Sequence, residues 1–306
     1  MKILLLGKNG QVGWELQRSL APLGELIALD SDSPYTANSG LCGDFTNPEG
    51  LIQTVRTIAP DVIVNAAAHT AVDKAESEPE LVRTINAIAP GVLAREAQRL
   101  NAWLIHYSTD YVFDGSGEKL WVETDAVAPL SVYGATKLEG EQLIQQSGCR
   151  HLLFRTSWVY GARGGNFAKT MLKLARERDS LSVINDQIGA PTGADLLADI
   201  TALALRTALQ RPELSGLYHV VAGGETSWHG YARFVLDFAQ RAGVALKVAA
   251  DDIKPVPTSA FPTPAKRPHN SRMDTTKLQH TFDLHLPMWQ TGVVRMLSEV
   301  LADSKN

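Results

Sequence analysis

Tyr133 and Lys137 bracket the segment Tyr133-Gly-Ala-Thr-Lys137, a spacing that puts both side chains on one face of a helix, one turn apart. An ammonium beside a phenol favours the phenolate, so the spacing predicts a Tyr133 pKa below the reference value of ~10. A tyrosine tuned in that way can exchange a proton with a carbonyl or alcohol oxygen near neutral pH. Thr109 ends an apolar run, and a hydroxyl there can hydrogen-bond a carbonyl oxygen as negative charge builds on it. Such a pair recurs by chance in many chains, so its meaning depends on the elements that carry it.

Those elements alternate. Lys2 to Leu6, Glu25 to Asp30, Asp61 to Ala68, Ala102 to Ser108 and His151 to Ser157 read as strands. Between them, Gln11 to Leu20, Asn47 to Ala59, Leu81 to Leu100 and Ser131 to Gln146 read as helices. Strand and helix in turn predict an α/β fold, a doubly wound parallel Rossmann sheet. After Tyr160 the pattern loosens. Helices are expected over Asn166 to Arg178, Gly193 to Leu209, Ser227 to Ala242 (with Ser227 as cap) and Pro287 to Leu301, and one more strand over Leu217 to Ala222. Five prolines between Pro255 and Pro268 make Lys254 to Pro268 neither helix nor central strand. The expected division is a dinucleotide-binding domain over 1–160, to which later segments return, and a smaller, discontinuous α/β substrate domain over 161–306.

Gly7-Lys-Asn-Gly10-Gln-Val-Gly13 follows the first strand and opens the first helix. Glycines there let backbone N–H groups approach a pyrophosphate, whose charge the helix N-terminus favours. The loop therefore predicts cofactor contacts at Gly7, Gly10, Gln11, Val12 and Gly13. Asp30, at the end of the second strand, can accept from an adenosine ribose hydroxyl and would repel a 2′-phosphate. No arginine follows it, which leans towards NADH, while Lys8 could still admit NADPH. Asp44-Phe45 lies where an adenine could rest, or is an ordinary turn aspartate and a packed aromatic. Asn65-Ala66-Ala67-Ala68-His69-Thr70 ends the third strand, where small residues at the strand's carboxyl edge leave room for a ligand. Trp158 follows the fifth strand. Lys266, Arg267 and Arg272 are cations that could grip a diphosphate or simply be solvated, and Asn166 and Lys169 are comparable candidates.

The totals exclude several classes. With 306 residues, 44% hydrophobic and 20% charged, the chain suits a globular enzyme with a full core. A net charge of −4 argues against general nucleic-acid binding. Cys42 and Cys149 form no C-x-x-C and no disulfide framework, so a reducing cytoplasm is the natural setting. No segment has the length of a membrane span, and Ile3 to Leu6 is too short for a signal-peptide core.

Thr109, Tyr133 and Lys137 resemble the catalytic triad of the extended short-chain dehydrogenase/reductase family, and the resemblance covers essentially the whole chain. Ordered blocks sharpen it: Gly10-Gln-Val-Gly-Trp-Glu-Leu16, the run Asn65 to Glu76, Ser108-Thr-Asp-Tyr-Val-Phe113, Arg155-Thr-Ser-Trp-Val-Tyr160, Gly189-Ala-Pro-Thr192 and Arg267-Pro-His-Asn-Ser271. They are similar to members that reduce the 4-keto group of dTDP-6-deoxy-L-lyxo-4-hexulose with NADPH or NADH. The resemblance implies a dTDP-sugar substrate, contacts to it from Thr109, Asp110, Trp158 and Arg267, and cofactor contacts from Tyr107, Ala68, His69, Thr70 and Lys137. It also implies a homodimer linked by structural Mg2+ on Glu15, Asp195 and Glu299. Sibling dehydratases carry Asp-Glu where this chain has Asp110-Tyr111, so water elimination has no evident base here. Another nucleotide-sugar epimerase or 4-ketoreductase with the same triad, and a non-catalytic dinucleotide-binding regulatory subunit, remain the alternatives.

Overall fold

The computed structural model describes residues 1–31 and 40–303. Six parallel strands form the central sheet: β1 (Lys2–Leu6), β2 (Glu25–Leu29), β3 (Val62–Asn65), β4 (Trp103–Thr109), β5 (Arg150–Thr156) and β6 (Gly216–His219). Their spatial order is β6-β5-β4-β3-β1-β2. Growth of the sheet reverses at β1, and a crevice opens beyond the carboxyl ends of β1 and β3, the place where such sheets bind ligands.

β1, β3 and β4 are apolar on both faces because helices cover both. On one face, α1 (Gln11–Leu20) packs with Leu16 and Leu20 against Ile3, Leu5, Val62 and Val64. On the other, α2 (Pro48–Ile58) and α3 (Ala89–Leu100) cover Leu4, Leu6, Ile63 and Leu104. Asn47 caps α2 by accepting the Gly50 N–H. Ser131 caps α4 (Val132–Gln146) by accepting the Gly134 N–H.

Past Tyr160 the chain builds a second core. Helices α5 (Phe167–Glu177), α7 (Trp228–Arg241) and α8 (Trp289–Asp303) surround Tyr231, Val235, Trp289 and Leu297. Three two-stranded pairings accompany them, among them Ser182–Ile184 with the proline-bearing Lys254–Val256. Helix α6 (Ala194–Gln210) instead packs on α1, and β6 joins the large sheet.

Two expectations need correction. The helix expected over Leu81 to Leu100 is broken: a short helix Pro79–Arg83 widens into a π turn, Thr84–Ile88, before α3. Pro90 lacks the N–H that the Asn86 carbonyl would accept, and its ring crowds that carbonyl, so the turn widens. The third strand stops at Asn65, because Ala66 to Ala68 leave the sheet to line the crevice.

Candidate functional site

Gly7 has φ of +84°, and a Cβ on it would lie 2.6 Å from the Ala67 nitrogen. A Cβ on Gly13 would lie 1.9 Å from the Gly7 carbonyl oxygen. Only glycine fits either place, and their absent side chains bring the β1 loop, the start of α1 and the Ala66–Ala67 backbone into contact. Gly10 stands at the N-cap with no side-chain cap, leaving the first N–H groups of α1 for a ligand. The Asp30 carboxylate accepts the Asn9 N–H at 2.8 Å, so it is held at the rim of that loop. Such a cradle fits a dinucleotide pyrophosphate with a ribose near Asp30. Gln11 reaches towards Asn166 and ties the loop to the segment after Tyr160. Asn166 itself caps α5, and Lys169 donates to the Ala162 and Gly164 carbonyls. Phe45 is a core side chain beside Leu4 and Leu51, and Asp44 accepts from both the N–H and the hydroxyl of Thr46.

The Ala68-His69-Thr70 loop is set by Asn86. Its Oδ1 accepts the His69 N–H at 2.8 Å and its amide donates to the His69 carbonyl at 3.1 Å. The π turn is what aims that side chain inward.

Helix α4 carries Tyr133, Lys137 and Glu141 at successive turns. The Thr109 hydroxyl at the end of β4 donates to Asp110 Oδ1 at 3.1 Å and lies close enough to the Tyr133 phenol to act on its pKa, so the sheet edge and the helix meet at one place. Electrostatics differ from the sequence expectation. Burial pushes the Tyr133 pKa up to about 12, with the Thr109 hydrogen bond acting the other way and Asp110 adding to the rise. Lys137 is 1% exposed, and burial pulls its pKa down to about 8. Its Nζ donates to the Tyr107 carbonyl at 2.6 Å and lies 3.0 Å from His106 Nε2. Desolvation therefore outweighs the neighbouring cation, and the predicted low phenol pKa is not what this geometry produces. Tyr107 offers the site its carbonyl. Its phenol bonds Thr201 across the opposite face.

Asp110 is buried beside Thr109, and burial raises its pKa to about 6 against hydrogen bonds from Ser271 and Thr109. One of its oxygens, Oδ2, has no hydrogen-bond partner among the described residues. Tyr111 packs edge-on against Tyr133 with ring centroids 5.5 Å apart. Arg267 makes a bidentate pair with Asp73, at 2.7 and 3.1 Å. Trp158 stands at φ +49° after β5 and stacks on Trp228 at 3.7 Å, with Gly189 close beneath it. Arg272 pairs with Glu225. Asn65, His106, Asn86, Asp73, Tyr111 and Ser271 all touch this constellation although sequence reasoning gave their side chains no role. Asn65 and His106 did carry a signal, as polar residues inside apolar strands.

Among the described residues of this chain no cluster of three or more His, Cys, Asp or Glu could hold a metal ion. Glu15, Asp195 and Glu299 do border one small cleft. Arg295 pairs with Asp195 at 3.0 Å and with Glu299 at 3.5 Å, and Arg18 takes Glu15. Guanidinium groups supply the positive charge that a cation would bring, so the residues do not fit a resident ion within one chain.

A glycine cradle at the switch point and a phenol, hydroxyl and lysine at the neighbouring strand ends define a nicotinamide-dependent reductase of the extended short-chain dehydrogenase/reductase type. A family model described as "RmlD substrate binding domain" matches residues 1–302. The chain is 62% identical over 300 residues to the dTDP-4-dehydrorhamnose reductase of Salmonella typhimurium, covering 98% of each. Its fold matches crystal structures of dTDP-4-dehydrorhamnose reductases from Clostridium acetobutylicum (TM-score 0.85, 34% identity, 98% of this chain and 100% of that one) and from Bacillus anthracis in complex with NADP (TM-score 0.84, 34% identity, 97% and 99%). The chain belongs to the dTDP-4-dehydrorhamnose reductase family.

Proposed function

We propose that this protein reduces the 4-keto group of dTDP-4-dehydro-L-rhamnose (dTDP-6-deoxy-L-lyxo-4-hexulose) to give dTDP-L-rhamnose. The observation that carries this reading is the convergence of the Thr109 hydroxyl and the Tyr133 phenol beside a glycine-lined dinucleotide cradle. When bound, the reduced nicotinamide dinucleotide supplies the hydride. Gly7, Gly10, Gln11, Val12 and Gly13 hold its pyrophosphate, Asp30 meets the adenosine ribose, and Ala68, His69 and Thr70 line its path. Thr109 orients the carbonyl oxygen, and Tyr133 gives it a proton as it becomes an alkoxide. A phenol with a pKa near 12 suits that task, because it stays protonated at neutral pH and an alkoxide is the stronger base. Lys137 supports the phenolate left behind. Asp110, with its unpartnered buried oxygen, bonds a sugar hydroxyl, Trp158 contacts the sugar, and Arg267 faces the diphosphate.

The same reading assigns 1–160, with α6 and β6, to cofactor binding and most of 161–306 to the substrate. It includes a homodimer in the cytoplasm. No described helix is long and apolar enough to cross a membrane. NADPH is the favoured cofactor because a relative 34% identical was solved with NADP, although Asp30 also suits NADH. The test is oxidation of NADPH and of NADH in the presence of the 4-keto sugar nucleotide, with the product identified. One equivalent of cofactor consumed per dTDP-L-rhamnose formed is expected. Interconversion of sugars without net cofactor consumption would reassign the chain to epimerisation. Tyr133→Phe is expected to bind dinucleotide normally and to lose turnover by ~10²–10⁴-fold.

A further inference from the structure

Behind Lys137 lies a buried chain of hydrogen bonds whose hydrogens can be counted. The Ala67 N–H can only donate, and it meets Asn65 Oδ1 at 3.0 Å. The Asn65 amide nitrogen therefore faces His106 Nδ1, at 2.9 Å. An amide NH2 is a donor only, so Nδ1 must present its lone pair. His106 is fully buried, and desolvation followed by the charge of Lys137 lowers its pKa well below the usual histidine value, so the ring is neutral. Its one hydrogen then sits on Nε2, aimed at Lys137 Nζ 3.0 Å away. An N–H aimed at an ammonium is a mismatch of two donors, whereas an N–H aimed at an amine lone pair is a hydrogen bond. The amine keeps hydrogens for the Tyr107 carbonyl.

We propose that Asn65 and His106 form a positioning dyad that fixes the tautomer facing Lys137 and so favours the neutral amine of that residue over its ammonium, with Nζ turned towards β4, in the ligand-free protein. Burial of Lys137 acts in the same direction. Charged groups on the elements packed against α4 oppose it weakly. Glu141, the nearest, is already bound bidentately by the buried Arg155 of β5, at 2.9 and 2.7 Å. Arg83 is paired with Glu139, Glu76 accepts the Val132 N–H, and Asp110 lies beyond Tyr133 with Tyr111 beside it. The consequence for turnover rests on the role given to Lys137 above: support of the phenolate requires the ammonium, so the dyad sets the pH above which reduction slows. Neither residue touches the reacting atoms, and both act through Lys137.

The test is nitrogen-15 NMR of the cofactor-free, histidine- and lysine-labelled protein, with His106 assigned from the His106→Phe spectrum and Lys137 from Lys137→Met. The expected result is a neutral His106 bearing hydrogen on Nε2 and a Lys137 that loses its proton at or below about pH 8. Hydrogen on Nδ1, a charged ring, or a Lys137 midpoint near the ordinary lysine value of ~10.4 would overturn the proposal. Asn65→Asp offers His106 Nδ1 an acceptor instead of a donor. It should move the hydrogen to Nδ1, free Nε2 to accept from the ammonium, and shift both the Lys137 midpoint and the alkaline fall of kcat to higher pH by at least one unit. A tautomer unchanged in a folded Asn65→Asp protein also overturns it. Should that variant not fold, the wild-type spectra decide alone. Because they need no substrate, failure of the reductase assay would leave this result standing or falling by itself.

Discussion

At the scale of single residues, desolvation governs the site. Lys137, Asp110 and Tyr133 are each displaced towards the neutral form. For Asp110 the folded pKa of about 6 lies above an unfolded value near ~3.9, so the folded state binds more protons between them. Stability contributed by this group is therefore present in acid and lost as pH rises through about 6. Asp110→Asn removes that titration. In urea melts the wild type is expected to lose on the order of 2–3 kcal/mol more than the variant between about pH 4 and 7, while the variant turns over more slowly. Equal pH dependence in the two proteins would show that Asp110 does not bear a buried charge. The expected drop in the Tyr133 pKa failed for the same reason. Spacing places Lys137 within a turn of the phenol, but it does not reveal that Lys137 is buried or that its Nζ has other partners.

At the scale of elements, short glycine contacts fix the cofactor loop. A Cβ on Gly13 would strike backbone on the Gly7 side and has no flexible side chain to displace. Gly13→Ala is expected to push α1 off the loop, cost about 1–3 kcal/mol, and weaken dinucleotide binding at least tenfold. The rise in melting temperature on adding NADPH should shrink accordingly. An undiminished rise would mean the loop does not hold the pyrophosphate. Strand β1, its glycines and α1 were legible because the signals are local: apolar run, turn residue, helical periodicity. Asn47, Ser131 and Ser227 cap their helices; the sequence marked Ser227 as a cap and the other two as helix starts. The π turn was not seen, although Pro90 inside the helical pattern was its sign, and with it the clamp of Asn86 on the His69 loop was missed.

At the scale of the whole molecule, the segment around Arg267 fastens the later half of the chain over the sheet edge. Asp73 takes the guanidinium with two hydrogen bonds and accepts the Ala265 N–H, while Ser271 reaches Asp110. The Arg267 guanidinium holds Asp73 below the usual carboxylate range. The pair is partly exposed, so its worth in stability is small. Arg267→Ala is expected to melt within about 1 kcal/mol of the wild type, yet to raise the KM for the nucleotide sugar about tenfold with little change in kcat. A matched fall in kcat at unchanged KM would instead place Arg267 in the chemical step.

The sequence by itself determined the order of strands and helices, the glycine loop, and the threonine, tyrosine and lysine that face one another. Each depends on spacing along a single element or on the junction between two. Tertiary structure alone decided the protonation of those residues, the partners of Lys137, the ion pairs of Glu15, Asp195 and Glu299 with arginines, and the packing of Phe45 in the core. All of these turn on which groups distant in the chain exclude water from one another, and no local pattern records that.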